Sequence, residues 1–274
     1  MIRPLTVAFA AVLACGCAGT PSVASTATVG AADRVADAGL QAAIAGEWRS
    51  ADNRARDRYR HPAETLAFFG VKPTDTVIEI SPGAGWYSEI LAPYLRDGGR
   101  FIAASAASPG RANPLDARFL ADPARFGRAD LHEYNPKDPA FGAADSADVV
   151  LTFRNLHNWL AAGTAEYHLR AAYDVLKPGG VLGVVEHRAK PGTDIETSKK
   201  SGYVAEQLVI DLAGEVGFEL DARSEVNANP RDTADHPNGV WTLPPTNRHD
   251  AKDAATYQAI GESDRMTLRF RKPG

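Results

Sequence analysis

Cysteine is nearly missing from this chain: of 274 residues only Cys15 and Cys17 carry a thiol, and none follows them. A disulfide framework is thereby excluded. There is no Gly-x-Ser-x-Gly elbow to specify a serine nucleophile. The histidines and acids show no close metal-ligand spacing along the chain, so no metal is expected. Neither sign of charge dominates: 30 basic against 34 acidic residues leave a formal net charge of -4. Such a chain has no general attraction to phosphate backbones, which disfavours nucleic acid as a bulk partner. The apolar run Leu5–Ala14 is too short to span a bilayer as a stable helix. What remains is an ordinary globular composition, 44% hydrophobic, sufficient to bury a core.

The N-terminus has the layout of a targeting segment: Arg3 is a positive start, Leu5–Ala14 is apolar and small residues follow. Leu13-Ala14-Cys15-Gly16-Cys17 is an imperfect match to a bacterial lipobox. Lipidation is one reading, and signal-peptidase cleavage after Ala18, Ala24 or Ala27 is the other. Both expect an exported protein, periplasmic or lipid-anchored to the cell envelope, touching membrane only through such an anchor. Residues 1–18 are thus read as a signal peptide, 19–32, rich in Ala, Thr, Ser and Gly, as a flexible tether, and 33–274 as a single domain.

From Asp33 helical patterns begin, with Leu40, Ala43 and Ile44 on one face. The charged run Arg49–Arg60 reads first as a solvated helix face, and second as a dock for an acidic ligand end. His61-Pro62 opens a helix through Phe69, since proline suits a first helical turn. Strands and helices then alternate. Strands are expected at Thr76–Ile80, Arg100–Ser105, near Arg128–His132, at Asp148–Phe153, Val181–Glu186, Phe218–Val226 and Met266–Arg271. Helices are expected at Trp86–Leu95, Thr164–Leu176 and Gly202–Glu215. This predicts an α/β fold: a doubly wound, mostly parallel seven-stranded sheet with an N-terminal helical extension.

The most informative stretch is Val77-Ile-Glu79-Ile-Ser81-Pro-Gly83-Ala-Gly85, a buried strand that ends in a small-residue turn opening into an amphipathic helix. Glycines let a backbone pass close to a ligand, and the first amides of the next helix point outward as donors. In open doubly wound sheets ligands bind beyond the carboxyl ends of the strands. That edge collects Arg154, Asn155, His157 and Asn158 after the fourth strand and Glu186, His187 and Arg188 at the end of the fifth. His157 or His187 has the chemistry of a general base, with Glu186 as an orienting acid. In the long loop before the last strand, Trp241 reads as a ring over the pocket or as an anchor pinning the loop.

With Val77–Gly85, Asp148–Trp159 and Leu176–His187 in view, the chain resembles a class I S-adenosylmethionine-dependent methyltransferase over about Tyr59 to Lys272. More narrowly, it resembles a bacterial group of exported predicted methyltransferases. The resemblance implies a Rossmann-like methyltransferase fold and S-adenosyl-L-methionine as cofactor. It further implies that Glu79 accepts from the ammonium of the methionine moiety, and that Ser81, Gly83 and Gly85 are the small-residue turn. Ser105 then stands at the ribose end of the second strand, Asp130 near the adenine edge, and Asn155 among the cofactor contacts. His157, Glu186 and His187 are the expected catalytic residues.

The sequence departs from the family in having Ser81 for the first glycine and Ser105 where a ribose-binding carboxylate is usual. A charged acceptor makes a hydrogen bond roughly twice as strong as a neutral one. A nicotinamide dinucleotide is disfavoured by the same gap and by Ser88 where a third glycine would stand. Arg154-Asn-Leu-His157 in place of Asn-Pro-Pro-aromatic argues against amino-methylation of nucleic-acid bases. A cysteine nucleophile for base methylation is missing as well. The expected acceptor is a small molecule, lipid-like or envelope-associated. Two other readings stand beside it: an exported binding or scaffold protein that kept the fold and lost the cofactor, and a different acid–base enzyme using Glu186 with a histidine.

Overall fold

The structure is a computed structural model and describes residues 37–274. The signal peptide, lipobox, cleavage positions and tether lie outside the described residues. No helix among the described residues is long and apolar enough to cross a membrane.

Four short helices come first, α1 (Ala38–Ile44), α2 (Ala51–Ala55), α3 (Asp57–Arg60) and α4 (Pro62–Phe69). Asp37 caps α1 and Ser50 caps α2, each side chain accepting from a backbone amide of the first turn. Pro62 occupies the first turn of α4, and Gly70 ends it in the left-handed conformation. The alternating part follows as β1 (Thr76–Ile80), α5 (Ser88–Leu95), β2 (Arg100–Ala106), α6 (Pro114–Ala121), α7 (Pro123–Phe126), β3 (Asp130–Tyr134) and β4 (Ala147–Phe153). Then come α8 (Leu156–Ala162), α9 (Ala165–Val175), β5 (Leu176–His187), α10 (Ile195–Ser201), α11 (Glu206–Val216) and β6 (Glu219–Ser224). A long loop with two short 3-10 turns leads to α12 (Ala254–Ile260) and β7 (Arg265–Arg271).

The strands form one seven-stranded sheet in the order β3-β2-β1-β4-β5-β7-β6. Strands β1 to β5 pair in parallel, and β7 inserts antiparallel between β5 and β6. Both faces are covered, as a parallel sheet requires. Along β1 the side chains alternate: Ile78 and Ile80 pack with Leu169, Ala172 and Val209, while Val77 packs with Leu66, Ile90 and Leu91 on the other face.

Three expectations need correction. The third strand begins at Asp130 rather than near Arg128, two residues later than its weak pattern indicated. The helix expected over Gly202–Glu215 is α11, which starts only at Glu206, because Gly202 at φ 74° closes the separate helix α10 that precedes it. The charged run 49–60 is a solvated face only in part: Asp52, Arg54 and Arg58 are exposed, but its two end arginines are not. Arg49 is 1% exposed and Arg60 3% exposed. Arg49 forks onto Asp57 at 2.8 and 2.7 Å, while Arg60 lies 4.6 Å from the centre of the Trp86 ring.

Candidate functional site

The turn after β1 is built from three left-handed residues, Ser81 (φ 50°), Gly83 (φ 59°) and Gly85 (φ 79°). The Ser81 amide donates to the Ala104 carbonyl at 2.7 Å, tying the turn to β2, and the Gly85 amide closes it on the Pro82 carbonyl at 3.0 Å. The two glycines serve different ends. A Cβ on Gly83 would meet nothing within 4 Å, so backbone is presented to open space. One on Gly85 would stand 2.5 Å from Leu115 Cδ2, so this glycine lets α6 pack on the start of α5.

Gly83 opens on a cavity of about 360 Å³ beyond the carboxyl ends of β1, β4 and β5. A volume of this order suits a small-molecule ligand. The N-terminal helices form one side through Asn53, Arg56 and Arg60, and Trp241, Pro244 and Pro245 form the opposite wall. Glu79 reaches the cavity from β1 while only 2% exposed, and accepts from Ser88 Oγ at 2.8 Å. Burial pushes its carboxyl up to about 7; the Ser88 bond and the charges of Arg60 and Arg154 only partly offset this.

After β4 the chain turns sharply at Arg154, whose φ of 62° is unusual for a long side chain. Its amide is held by the Val185 carbonyl at 2.7 Å. Asn155 then donates to the Ile80 carbonyl at 2.9 Å and to Thr152 Oγ1 at 3.2 Å, which locks the end of β4 against the end of β1. Glu186 is fully buried behind the cavity. It accepts from the amides of His157 at 3.1 Å and His187 at 2.8 Å, and lies 3.0 Å from His157 Nδ1. A carboxylate so placed keeps a proton on Nδ1, and in the neutral imidazole this leaves the lone pair on Nε2. His187 Nδ1 meets Ser263 Oγ at 2.5 Å. Burial, and then the charges of His157 and Arg154, hold the His187 imidazole well below its ordinary pKa, so it is neutral.

One atom from each of His157, Glu186 and His187 lies within 4.8 Å of the others, close enough to hold a metal ion. Chain spacing hid this cluster because two neighbouring strand ends supply it 29 residues apart. The carboxylate is already engaged by two amides and Nδ1, an arrangement that orients the His157 ring.

Of the residues expected from the sequence, Glu79, Ser81, Gly83, Asn155, His157 and His187 line this cavity, with Glu186 directly behind. Gly85 does not line it; it is a packing glycine. Ser105 and Asp130 also stand apart from it. Asp130 is the first residue of β3, not a residue after that strand, and pairs with Arg100 at 2.6 Å. Asn158 is exposed on α8, and Arg188 is committed to Asp264 and Glu225. Trp241 does face the cavity, its ring 6.1 Å from that of His157.

The residues missed were arginines. Arg56, Arg60 and Arg265 surround Glu262, which is 2% exposed. Burial alone would raise this carboxyl, but the charges of Arg265, Arg60 and Arg56 bring it down to about 2. The available signal was the density of arginine in 49–60, which has little reason to be so high on a solvated face.

The sequence matches no protein-family model and no curated protein sequence. Solved structures do match. A SAM-dependent methyltransferase from Aquifex aeolicus superposes with a TM-score of 0.55 at 14% identity, over 80% of this chain and 93% of that one. The (4+2)-cyclase SpnF gives 0.56 at 16% identity, over 85% and 92%. CrArsM, an arsenic(III) S-adenosylmethionine methyltransferase from Chlamydomonas reinhardtii, gives 0.50 at 15%, over 86% and 73%. The chain has the class I methyltransferase fold. At these identities the likeness speaks for the fold, and function must be argued from the site.

Proposed function

We propose that the protein is a class I S-adenosylmethionine-dependent methyltransferase acting on a small-molecule or envelope-associated acceptor. The observation that carries this reading is the meeting, in one cavity, of the open Gly83 backbone and buried Glu79 with His157 held by Glu186. The residues fit the methionine half of the cofactor: Glu79 faces the cavity as an acceptor for an ammonium, and Gly83 leaves room for close approach. On the ribose half no carboxylate stands at the end of β2, and Ser81 Oγ and Tyr134 OH, at the ends of β1 and β3, bond to each other at 2.7 Å.

When bound, S-adenosylmethionine supplies an electrophilic methyl group, so much of the barrier is lowered by positioning the acceptor against it. The chain's own contribution is a bare His157 Nε2 at the cavity, suited to take the proton of an acceptor hydroxyl or amine. Glu186 fixes that tautomer and steadies the imidazolium that proton transfer produces. Trp241, Pro244 and Pro245 give the cavity its apolar lining. The targeting pattern of residues 1–18 supports an exported location.

The test is calorimetric titration of the full chain with S-adenosylmethionine and S-adenosylhomocysteine. Saturable binding near micromolar is the expected result. No binding at millimolar ligand would sink the reading and favour an envelope protein that keeps the fold without the cofactor, an alternative supported by the ribose side described above.

A further inference from the structure

Four guanidiniums reach the cavity from three separate stretches of chain: Arg56 and Arg60 from the N-terminal helices, Arg154 after β4 and Arg265 at the start of β7. Glu262 pairs with three of them, at 2.6 Å from Arg56 Nε, 3.4 Å from Arg60 Nε and in contact with Arg265 Nη2. Arg154 makes no side-chain hydrogen bond and no ion pair among the described residues, although it is partly buried. Arg56 Nη2 and Arg265 Nε are buried donors that also lack a partner. Burial and the neighbouring charge of Arg265 bring the Arg154 pKa down to about 10, which still leaves it a full cation near neutrality.

A partly buried guanidinium that makes no ion pair is unfavourable, and so is a long side chain in the left-handed region. Arg154 combines both, and its backbone is pinned there by the Val185 carbonyl. Strain and unpaired charge that the surrounding structure enforces point to a partner that arrives from the cavity. The charge count agrees. Four cations stand against Glu262, Glu186 behind His157, and a Glu79 that is only partly ionised at pH 7. His187 is neutral. The wall therefore keeps a positive excess. S-adenosylmethionine cannot remove it: its ammonium and carboxylate cancel, and its sulfonium adds a further positive charge.

We propose that Arg154, flanked by Arg60, is an anion-recognition site for a carboxylate or phosphate carried by the methyl acceptor. The planar fork of arginine matches either group in two-point hydrogen bonding. The identity of the anion's bearer rests on the methyltransferase reading, whereas the anion site itself is tested without cofactor. The site also orders the affinities. S-adenosylhomocysteine, which lacks the sulfonium charge, binds the anion-free protein more tightly than S-adenosylmethionine, and added phosphate narrows the difference.

The experiment is calorimetry of the full chain with inorganic phosphate and, separately, benzoate. Wild type is compared with Arg154→Asn, since asparagine tolerates a left-handed φ, and with Arg154→Lys. Saturable binding by wild type is expected, weakened about tenfold to a hundredfold in Arg154→Asn, as befits the loss of a charged hydrogen bond. Arg154→Lys falls between, and all three chains keep the same thermal midpoint within a few degrees. Equal binding by Arg154→Asn, or no binding by wild type, overturns the proposal. A third arm uses L-methionine: if it displaces phosphate and loses affinity in Arg154→Asn, the anion is the cofactor's own carboxylate and the acceptor assignment falls. Binding of phosphate without any binding of S-adenosylmethionine would keep the anion site while removing the methyltransferase reading.

Discussion

Glu79 illustrates how burial alone sets the behaviour of one side chain. Its carboxyl is fully enclosed, and the single Ser88 hydroxyl cannot replace the water it lost, so protonation is favoured up to about pH 7. The folded pKa exceeds the unfolded value of 4.5. The contribution of this group to stability is therefore fully present below about pH 4.5 and is lost as pH rises through 7, a change of about 3 kcal/mol. Glu79→Gln should be more stable than wild type at pH 8 and nearly equal to it at pH 4.5, as read by urea unfolding. A constant difference across that range would refute the burial argument. The same residue gives a ligand signature: affinity for S-adenosylhomocysteine should rise through pH 7 in wild type, as the carboxylate that receives the ammonium forms, and stay flat in Glu79→Gln. That Glu79 ends a strand was legible in the sequence. That it is partly protonated was not, because its enclosure comes from α5 and from the N-terminal helices.

The turn between β1 and α5 separates two glycines that look alike in sequence. Gly85 is buried against Leu115, itself fully buried, so a methyl group there displaces α6. Overpacking of this kind costs about 1–3 kcal/mol. Gly83 faces open cavity, and an alanine there adds only backbone strain of about 1 kcal/mol. Gly85→Ala should therefore lower the melting temperature more than Gly83→Ala. Gly83→Ala should instead lose more affinity for S-adenosylhomocysteine. The reverse ranking in either measurement would show that the roles had been misassigned. A strand-turn-helix motif announces that glycine is needed without saying for which neighbour, since α6 arrives about thirty residues later in the chain. Strand ends are equally non-local: β3 starts at Asp130, so this residue opens its strand and does not follow it.

For the molecule as a whole, Glu262 joins the two ends of the described chain. Its partners Arg56 and Arg60 lie more than 200 residues from it, and Arg265 stands three residues on. Replacing it with glutamine leaves buried guanidiniums without a counter-charge, which should destabilise the fold by about 3–5 kcal/mol at pH 7. Because its folded pKa of about 2 lies below the unfolded value of 4.5, its stabilisation is present above pH 4.5 and is lost as pH falls toward 2. Wild type and Glu262→Gln should therefore converge in stability under acid. Chemical unfolding at pH 7 and pH 2.5 checks this, and a gap that persists at the lower pH would count against the charge cluster.

Periodicity and turn chemistry are properties of neighbouring residues, and they were enough to establish the seven strands and the mostly parallel α/β class. They were also enough to single out Glu79, Gly83, Asn155, His157 and His187, which the topology then brings to one cavity. The arginine wall, the His157–Glu186 bond and the place of Asp130 at the start of β3 depend on register and on contacts between distant segments. Burial and charge pairing are settled only when those segments meet, which is why Arg60 reads as a surface cation in the chain and stands 3% exposed in the fold.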